Sequence, residues 1–251
     1  MDKIRLQSDF DRDGFVSLPG FIAGDALPPI YDALDRFIAN TLSTLPPEHV
    51  FYEDKARPET LKQIQRLFEY DEFFHGLMVD SPFQAVAEAM LKGPVVPKNM
   101  QYFNKAPGVG LPTPPHQDGF YFNLDPCDAV TLWFALDDVD EENGCVRYVR
   151  GSHRAGVLPH NRTQTLGFSQ GLADTSPCEN QETMVPCYAQ PGDLLGHHAL
   201  TIHWAEGNRS ATRQRRALGF IYYGIHAKED SARHEAYQQE LTESLRQRGK
   251  I

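Results

Sequence analysis

Positive charge is scarce in this 251-residue chain: 24 Lys and Arg stand against 34 Asp and Glu, a formal charge of -10. No basic run appears. A nucleic-acid backbone recruits clustered Lys and Arg, so such a partner is excluded and a small-molecule ligand is expected. Cysteine is sparse too. Cys127, Cys145, Cys178 and Cys187 form neither a CxxC pair nor a zinc spacing, which leaves reduced thiols in a cytoplasm as the expectation. No stretch of about eighteen apolar residues exists, and MDKIRLQSDFDRDGF lacks the charged-then-apolar pattern of a signal, so no membrane association is expected. There is no internal repeat and no low-complexity tract. What is present is 41% hydrophobic residues, enough at this length for one substantial core and a single domain over 1–251.

Hydrophobic periodicity divides the chain into a helical front (about 1–94), a β-rich body (about 95–225) and a charged C-terminal helix (about 231–248). After Gly24 and a cap at Asp25, the positions Leu27, Ile30, Tyr31, Leu34, Phe37 and Ile38 recur at helical spacing. A second helix is expected around Leu61, Ile64, Leu67 and Phe68. A third has Ser81 as N-cap, Pro82 at the first turn and Gly93 just past its end. From Val95 the pattern shifts to short runs rich in Val, Phe, Tyr and Trp, divided by turns such as Ala106-Pro107-Gly108. Strands are expected at Asn99–Phe103, Gln117–Asn123, Val130–Leu136, Cys145–Val149, Met184–Tyr188, Asp193–Leu195 and Ala217–Gly224. They are too many and too short for a parallel α/β fold, so a sandwich or barrel packed by helices is predicted. The polar stretch Asn161–Glu182 has no clear period and reads as a lid. The tail carries a thin apolar stripe of Ala236, Tyr237, Leu241 and Leu245.

The sharpest local feature is Pro115-His116-Gln117-Asp118-Gly119-Phe120. In a strand, residues two apart face the same way, so His116 and Asp118 offer a nitrogen and an oxygen to one metal ion. Two histidines and one carboxylate on one face of iron(II) is the ligand set of non-haem oxygenases, leaving three positions for a bidentate 2-oxo acid and dioxygen. The segment from Pro191 to His203 holds three candidates for the remaining ligand: His197, His198 and His203. The Asn208-Arg209-Ser210 turn followed by Arg215 selects His203, because a hairpin there returns Arg215 beside it, and its planar fork suits the distal carboxylate of 2-oxoglutarate. The acidic run Asp137, Asp138, Asp140, Glu141 and Glu142 lacks calcium-loop spacing and reads as a solvated turn.

HQDGFYF, WFALDD, ENGC, GSH, PGDLL, the distal histidine and NRS…RRAL occur in the order seen in the phytanoyl-CoA dioxygenase family, and FDRDGFVSLPGF is similar to the start of such proteins. The resemblance covers most of the chain. It implies a mainly β, double-stranded β-helix (jelly roll) with packed helices, a triad of His116, Asp118 and His203 on iron(II), and 2-oxoglutarate and dioxygen as co-substrates. It further implies that Lys105 and Trp133 line the 2-oxoglutarate pocket beside Gln101 and Thr131, and that Lys62 matches a co-substrate position by spacing. His153, in the GSH motif, reads as structural. The sequence departs from the family in Arg150 before Gly151, and in Trp204-Ala205 where Gly-Ser is usual. Trp204, with Phe120, Tyr121 and Phe122, is expected to shape a partly apolar substrate pocket beneath the lid. The spacing from His203 to Arg215 is one residue longer than usual, leaving Arg213 as an alternative anchor. The implied function is oxidation of a small metabolite or natural-product intermediate by hydroxylation, cyclisation or desaturation. Asp118 argues against halogenation, which needs that position vacated. The alternative is a non-catalytic, cupin-like metal-binding module.

Overall fold

The structure, a computed structural model, describes residues 2–230 together with 232, 239, 240, 242, 243, 245–247 and 249. The longer helices are α1 (Lys3–Asp13), α2 (Pro28–Asn40), α4 (Glu72–Met78) and α5 (Pro82–Leu91), with single turns α3 (Leu67–Tyr70) and α6 (Gly119–Phe122). The strands are β1 (Phe15–Leu18), β2 (Val50–Tyr52), β3 (Leu61–Ile64), β4 (Val95–Lys105), β5 (Thr113–His116), β6 (Leu124–Asp125), β7 (Ala129–Ala135) and β8 (Val146–Val149). They continue as β9 (His160–Thr165), β10 (Phe168–Leu172), β11 (Met184–Cys187), β12 (Leu194–His198), β13 (His203–Ala205), β14 (Arg215–Gly224) and β15 (Lys228–Glu229). A major sheet in the order β1-β12-β7-β14-β4-β3-β2 faces a minor sheet in the order β11-β8-β13-β5, and the pairing is antiparallel throughout. This is the expected double-stranded β-helix. No helix among the described residues is long and apolar enough to cross a membrane.

The period of two along the major sheet divides its side chains. Met100, Tyr102, Leu132, Phe134, Leu194, Leu218 and Phe220 pack against the helices, while Gln101, Phe103, Lys105, Thr131, Trp133, His197 and Arg215 line the space between the sheets. On the helix side Phe83 of α5 stacks on Phe220 at 4.1 Å and meets Phe134 edge-on at 5.4 Å. Gly219 has no side chain because the Phe103 ring lies over it: a Cβ there would come within 2.7 Å of that ring.

Several expectations about the front are corrected. Ser81 caps α5 by accepting from the Gln84 N–H at 3.2 Å, as expected, but Lys92, not Gly93, takes the left-handed turn at its end, with φ 58°. Asp25 lies in a 3-10 turn, Gly24–Ala26, and α2 starts at Pro28 without a side-chain cap. The expected second helix is strand β3 followed by the turn α3. Leu61, Ile64 and Leu67 share helical spacing because strand and turn pack on the same cluster. The front is not purely helical, since β1, β2 and β3 supply both edges of the major sheet. The strand expected at Gln117–Asn123 is instead α6, and the stretch read as aperiodic contains the β9–β10 hairpin. In the tail, the described residues 232, 239, 240, 242, 243 and 245–247 are helical and Leu245 is buried; Ala236, Tyr237 and Leu241 lie outside the described residues.

Candidate active site

His116 ends β5, and Asp118 opens the turn into α6 with φ -58° and ψ -36°. The pair therefore does not share a strand face, as the sequence suggested; the turn folds the carboxylate back beneath the imidazole. His203 opens β13 directly opposite His116 in the minor sheet. Asp118 Oδ1 lies 3.4 Å from His116 Nε2 and 3.6 Å from His203 Nε2, and one donor atom from each residue falls within 4.8 Å of the other two. Adjacent ligands on an octahedral ion with bonds near 2.1 Å stand about 3 Å apart, so a small contraction closes this set around a metal. The donor atoms are already presented. Nδ1 of His116 donates to the Pro114 carbonyl at 2.8 Å and Nδ1 of His203 to that of Thr201 at 3.0 Å, leaving both Nε2 lone pairs inward.

Electrostatics agree with that arrangement. Burial, then the His116 and His197 charges, push His203 well below the ordinary histidine range. Burial opposes ionisation of Asp118, but the surrounding imidazoles, His203 foremost, outweigh it and hold the carboxyl well below its usual pKa. The second oxygen of Asp118 is occupied: Oδ2 accepts from the Thr131 hydroxyl at 2.6 Å and lies 3.2 Å from His197 Nε2.

Behind this cluster lie three cations, Arg215, Lys105 and Lys62. Arg215 does not return in a hairpin beside His203. It belongs to the major sheet, paired with Lys105, and reaches the site from the opposite wall. It lies in the same cavity as the ligand set, reached by a route other than the expected hairpin. Its guanidinium carbon lies 5.4 Å from the Trp133 ring centroid. Only 4% of Arg215 is exposed, its Nε has no hydrogen-bond partner among the described residues, and burial pushes its pKa down to about 10. The Lys105 ammonium donates to the Leu111 carbonyl and to Thr113 Oγ1; burial, then the Arg215 and Lys62 charges, push it well below the lysine range. Lys62, on a strand rather than the expected helix, pairs with Glu53 at 3.0 Å. Arg213, the alternative anchor, is instead spent at the surface on Asp140 and Glu142, at 2.8 and 2.6 Å. Arg216 pairs with Asp137 at 2.7 Å. The acidic run read as a solvated turn is thus largely ion-paired.

A cavity of about 720 Å³ unites His116, Asp118 and His203 with Lys62, Gln101, Lys105, Thr131, Trp133 and Arg215, and with Tyr121 and Trp204. Phe120 does not line it; its ring stacks on His160 at 4.3 Å. In a helical turn neighbouring side chains diverge, so Phe120 and Tyr121 do not share a wall. The β9–β10 hairpin closes one side. Phe168 sits 5.3 Å from the His116 ring, the Tyr121 hydroxyl donates to the Gln170 carbonyl at 2.8 Å, and the tip residue Gly167, at φ +81°, presses on Gln63 Oε1 so closely that no side chain fits there. His197, Phe103 and Gln63 escaped the sequence reading. Period-two counting along β12 and β4 finds the first two, whereas Gln63 was hidden by the helical assignment of its strand. His153 is structural, its Nε2 3.3 Å from the Asp11 carbonyl.

His198, next to His197, turns the other way, toward Phe10 and His153. Burial, then the His153 and His197 charges, lower its pKa from 6.5 to about 4. The unfolded chain takes up this proton as pH falls through 6.5 and the folded chain only near 4, so stability is full above 6.5 and is lost below it. The metal-free protein is expected to lose about 2 kcal/mol between pH 7 and pH 5 through this group. Urea melts at both pH values check it, since His198→Phe should flatten the dependence by that amount.

A family model described as Phytanoyl-CoA dioxygenase (PhyH) matches residues 10–217. A "Phytanoyl-CoA dioxygenase" of Arabidopsis thaliana is 30% identical over 173 residues, covering 64% of this chain and 60% of that one. "Phytanoyl-CoA dioxygenase domain-containing protein 1" of Bos taurus is 28% identical over 255 residues, covering 84% and 86%. Among solved structures, the epimerase SnoN in complex with Fe3+, alpha ketoglutarate and nogalamycin RO superposes with a TM-score of 0.71 at 25% identity, covering 90% of this chain and 85% of that one.

Proposed function

The chain belongs to the phytanoyl-CoA dioxygenase family, and from that premise we propose that His116, Asp118 and His203 hold iron(II), with 2-oxoglutarate lying between them and Arg215. It is a 2-oxoglutarate-dependent non-haem iron dioxygenase. The observation that carries the assignment is the Arg215 guanidinium, buried, with an unpartnered nitrogen, in the same cavity as a three-donor ligand set. A buried cation without a counter-charge is costly, and a ligand carboxylate relieves that cost. A simple metal-binding barrel has no use for such a clamp, which disfavours the non-catalytic alternative.

When bound, iron(II) and 2-oxoglutarate with dioxygen supply an oxidant that removes hydrogen from an unactivated C–H bond. The protein's own contributions are geometric. Arg215 and Lys105 take the distal carboxylate of the co-substrate, with Trp133, Gln101 and Thr131 along its length. Three ligands on one face leave the opposite face open. Tyr121, Trp204 and the residues of the β9–β10 hairpin hold the substrate and exclude water from the oxidant. About 720 Å³ exceeds what 2-oxoglutarate fills and suits a further small molecule, a metabolite or natural-product intermediate. Its wall is partly apolar, with Phe103, Phe168, Tyr121 and Trp204. Hydroxylation is the outcome we propose, with ring closure or desaturation as the other outcomes the same oxidant would allow. The whole chain acts as one domain, and its four free thiols accord with a cytoplasmic setting.

Anaerobic titration of the metal-free protein with iron(II) and then 2-oxoglutarate tests this. A weak visible charge-transfer band of the chelated 2-oxo acid is expected, followed by succinate release in air. Iron binding without the band would hand the site to the non-catalytic, cupin-like metal-binding alternative.

A further inference from the structure

The two sheets set facing rows of side chains around Asp118. In the minor sheet Tyr148, His203 and His116 stand in register across β8, β13 and β5. In the major sheet Phe15, His197 and Thr131 stand in register across β1, β12 and β7. The rows are joined at two places: Tyr148 stacks on Phe15 at 4.5 Å, and its hydroxyl lies 3.0 Å from His197 Nδ1. The other nitrogen of His197, Nε2, faces Asp118 Oδ2 at 3.2 Å. His197 is 3% exposed and Tyr148 wholly buried, so water does not substitute for either partner.

We propose that His197, held in one tautomer by Tyr148, is a positioning residue that occupies Asp118 Oδ2 and so reserves Oδ1 for the metal. The inference rests on the assignment of Asp118 as a ligand. Among the described residues, His197 Nδ1 is the one acceptor the Tyr148 phenol meets, so the phenol donates there and the imidazole proton resides on Nε2, pointing at the carboxylate. Burial raises the phenol pKa well above 10, so this donor keeps its proton. A carboxylate with a free second oxygen can rotate or chelate through both, taking a position that the co-substrate needs. The Thr131 hydroxyl by itself leaves that rotation possible. Two donors from directly paired positions on neighbouring strands, Thr131 and His197, fix the carboxylate plane, because their spacing is set by the sheet.

The test is metal affinity, read without turnover: the metal-free protein is titrated with Co(II) and its d–d absorption followed in the wild type, His197→Phe, His197→Gln and Tyr148→Phe. His197→Phe is expected to weaken Co(II) binding about 10- to 100-fold, the range for lost outer-sphere partners. A glutamine amide nitrogen falls near the place of Nε2, so His197→Gln is expected to return within about threefold of the wild type, a rescue that packing alone does not produce. Tyr148→Phe keeps the ring on Phe15 and is expected to fall between the two, which keeps the idea testable should His197→Phe not fold. Co(II) affinity unchanged in His197→Phe, or no recovery in His197→Gln, overturns the positioning role. Wild-type affinity in Tyr148→Phe overturns the part given to the phenol. A wild type that fails to bind one Co(II) overturns the ligand assignment itself, a distinguishable result.

Discussion

Arg215→Met is expected to weaken 2-oxoglutarate binding by about 2–4 kcal/mol, roughly 30- to 1,000-fold, while metal affinity stays within about threefold. The size follows from desolvation. In water an arginine–carboxylate pair is worth little, but Arg215 is 4% exposed, its pKa is driven down to about 10, and Lys105 is its directly paired neighbour on β4. Two cations buried side by side repel, and the co-substrate carboxylate would supply the counter-charge that Arg215 lacks among the described residues. The same substitution has a second expected effect of opposite sign. Without 2-oxoglutarate, removing an unpaired buried charge should raise the melting temperature, because methionine fills the space without the desolvation cost. Anaerobic titration of the charge-transfer band and thermal melts in parallel check both. Arg213→Met is the control: its partners Asp140 and Glu142 are at the surface, so co-substrate affinity should not move. A shift in Arg213→Met with none in Arg215→Met would reassign the anchor.

Asp118→Ala is expected to lower 2-oxoglutarate-dependent succinate release below detection and to weaken iron(II) binding by more than about 100-fold, beyond what loss of an outer-sphere partner costs. Two neutral imidazoles remain, and neither supplies the negative charge that offsets a divalent ion in a buried site. Thr131 and His197 also lose their shared acceptor. Metal titration beside a succinate assay separates the two losses. Full co-substrate turnover in the variant would remove Asp118 from the ligand set.

How much of this was legible in the sequence differs between residues for physical reasons. His116, Asp118 and His203 were found because motif chemistry survives an error in local geometry: a strand was expected from 117 to 123 and a helical turn stands there, yet either brings the two side chains together. The sequence expects Arg215 at the site through a hairpin, whereas the structure brings it to the cavity by pairing with Lys105, more than a hundred residues earlier in the chain. Pairing across a jelly roll is set by long-range topology, which local periodicity does not carry. Lys62 and Gln63 were misread because Leu61, Ile64 and Leu67 imitate a helix while a strand and a turn bury them. Phe120 failed for the complementary reason: it was assigned a wall as a strand residue and a helical turn rotates it toward His160. His197 is in phase with Leu195 on β12, so its inward direction is legible in the period of two, but its contact with Asp118 crosses between elements 79 residues apart and local periodicity does not carry it.

The walls of the cavity have different attachments. The residues proposed to face the co-substrate sit on β4, β7 and β14, strands with neighbours on both sides and helices behind. Phe168, Thr163 and Gln170, facing the remaining space, sit on a two-stranded hairpin whose sheet contains only itself. Sequence drift therefore has unequal consequences. Changes in the central strands disturb folding and the shared reactant together, whereas replacements within residues 160–172 that spare Gly167 and the buried Leu172 are expected to alter which molecule is oxidised. A library confined to that segment samples new substrates while the chemistry is inherited unchanged.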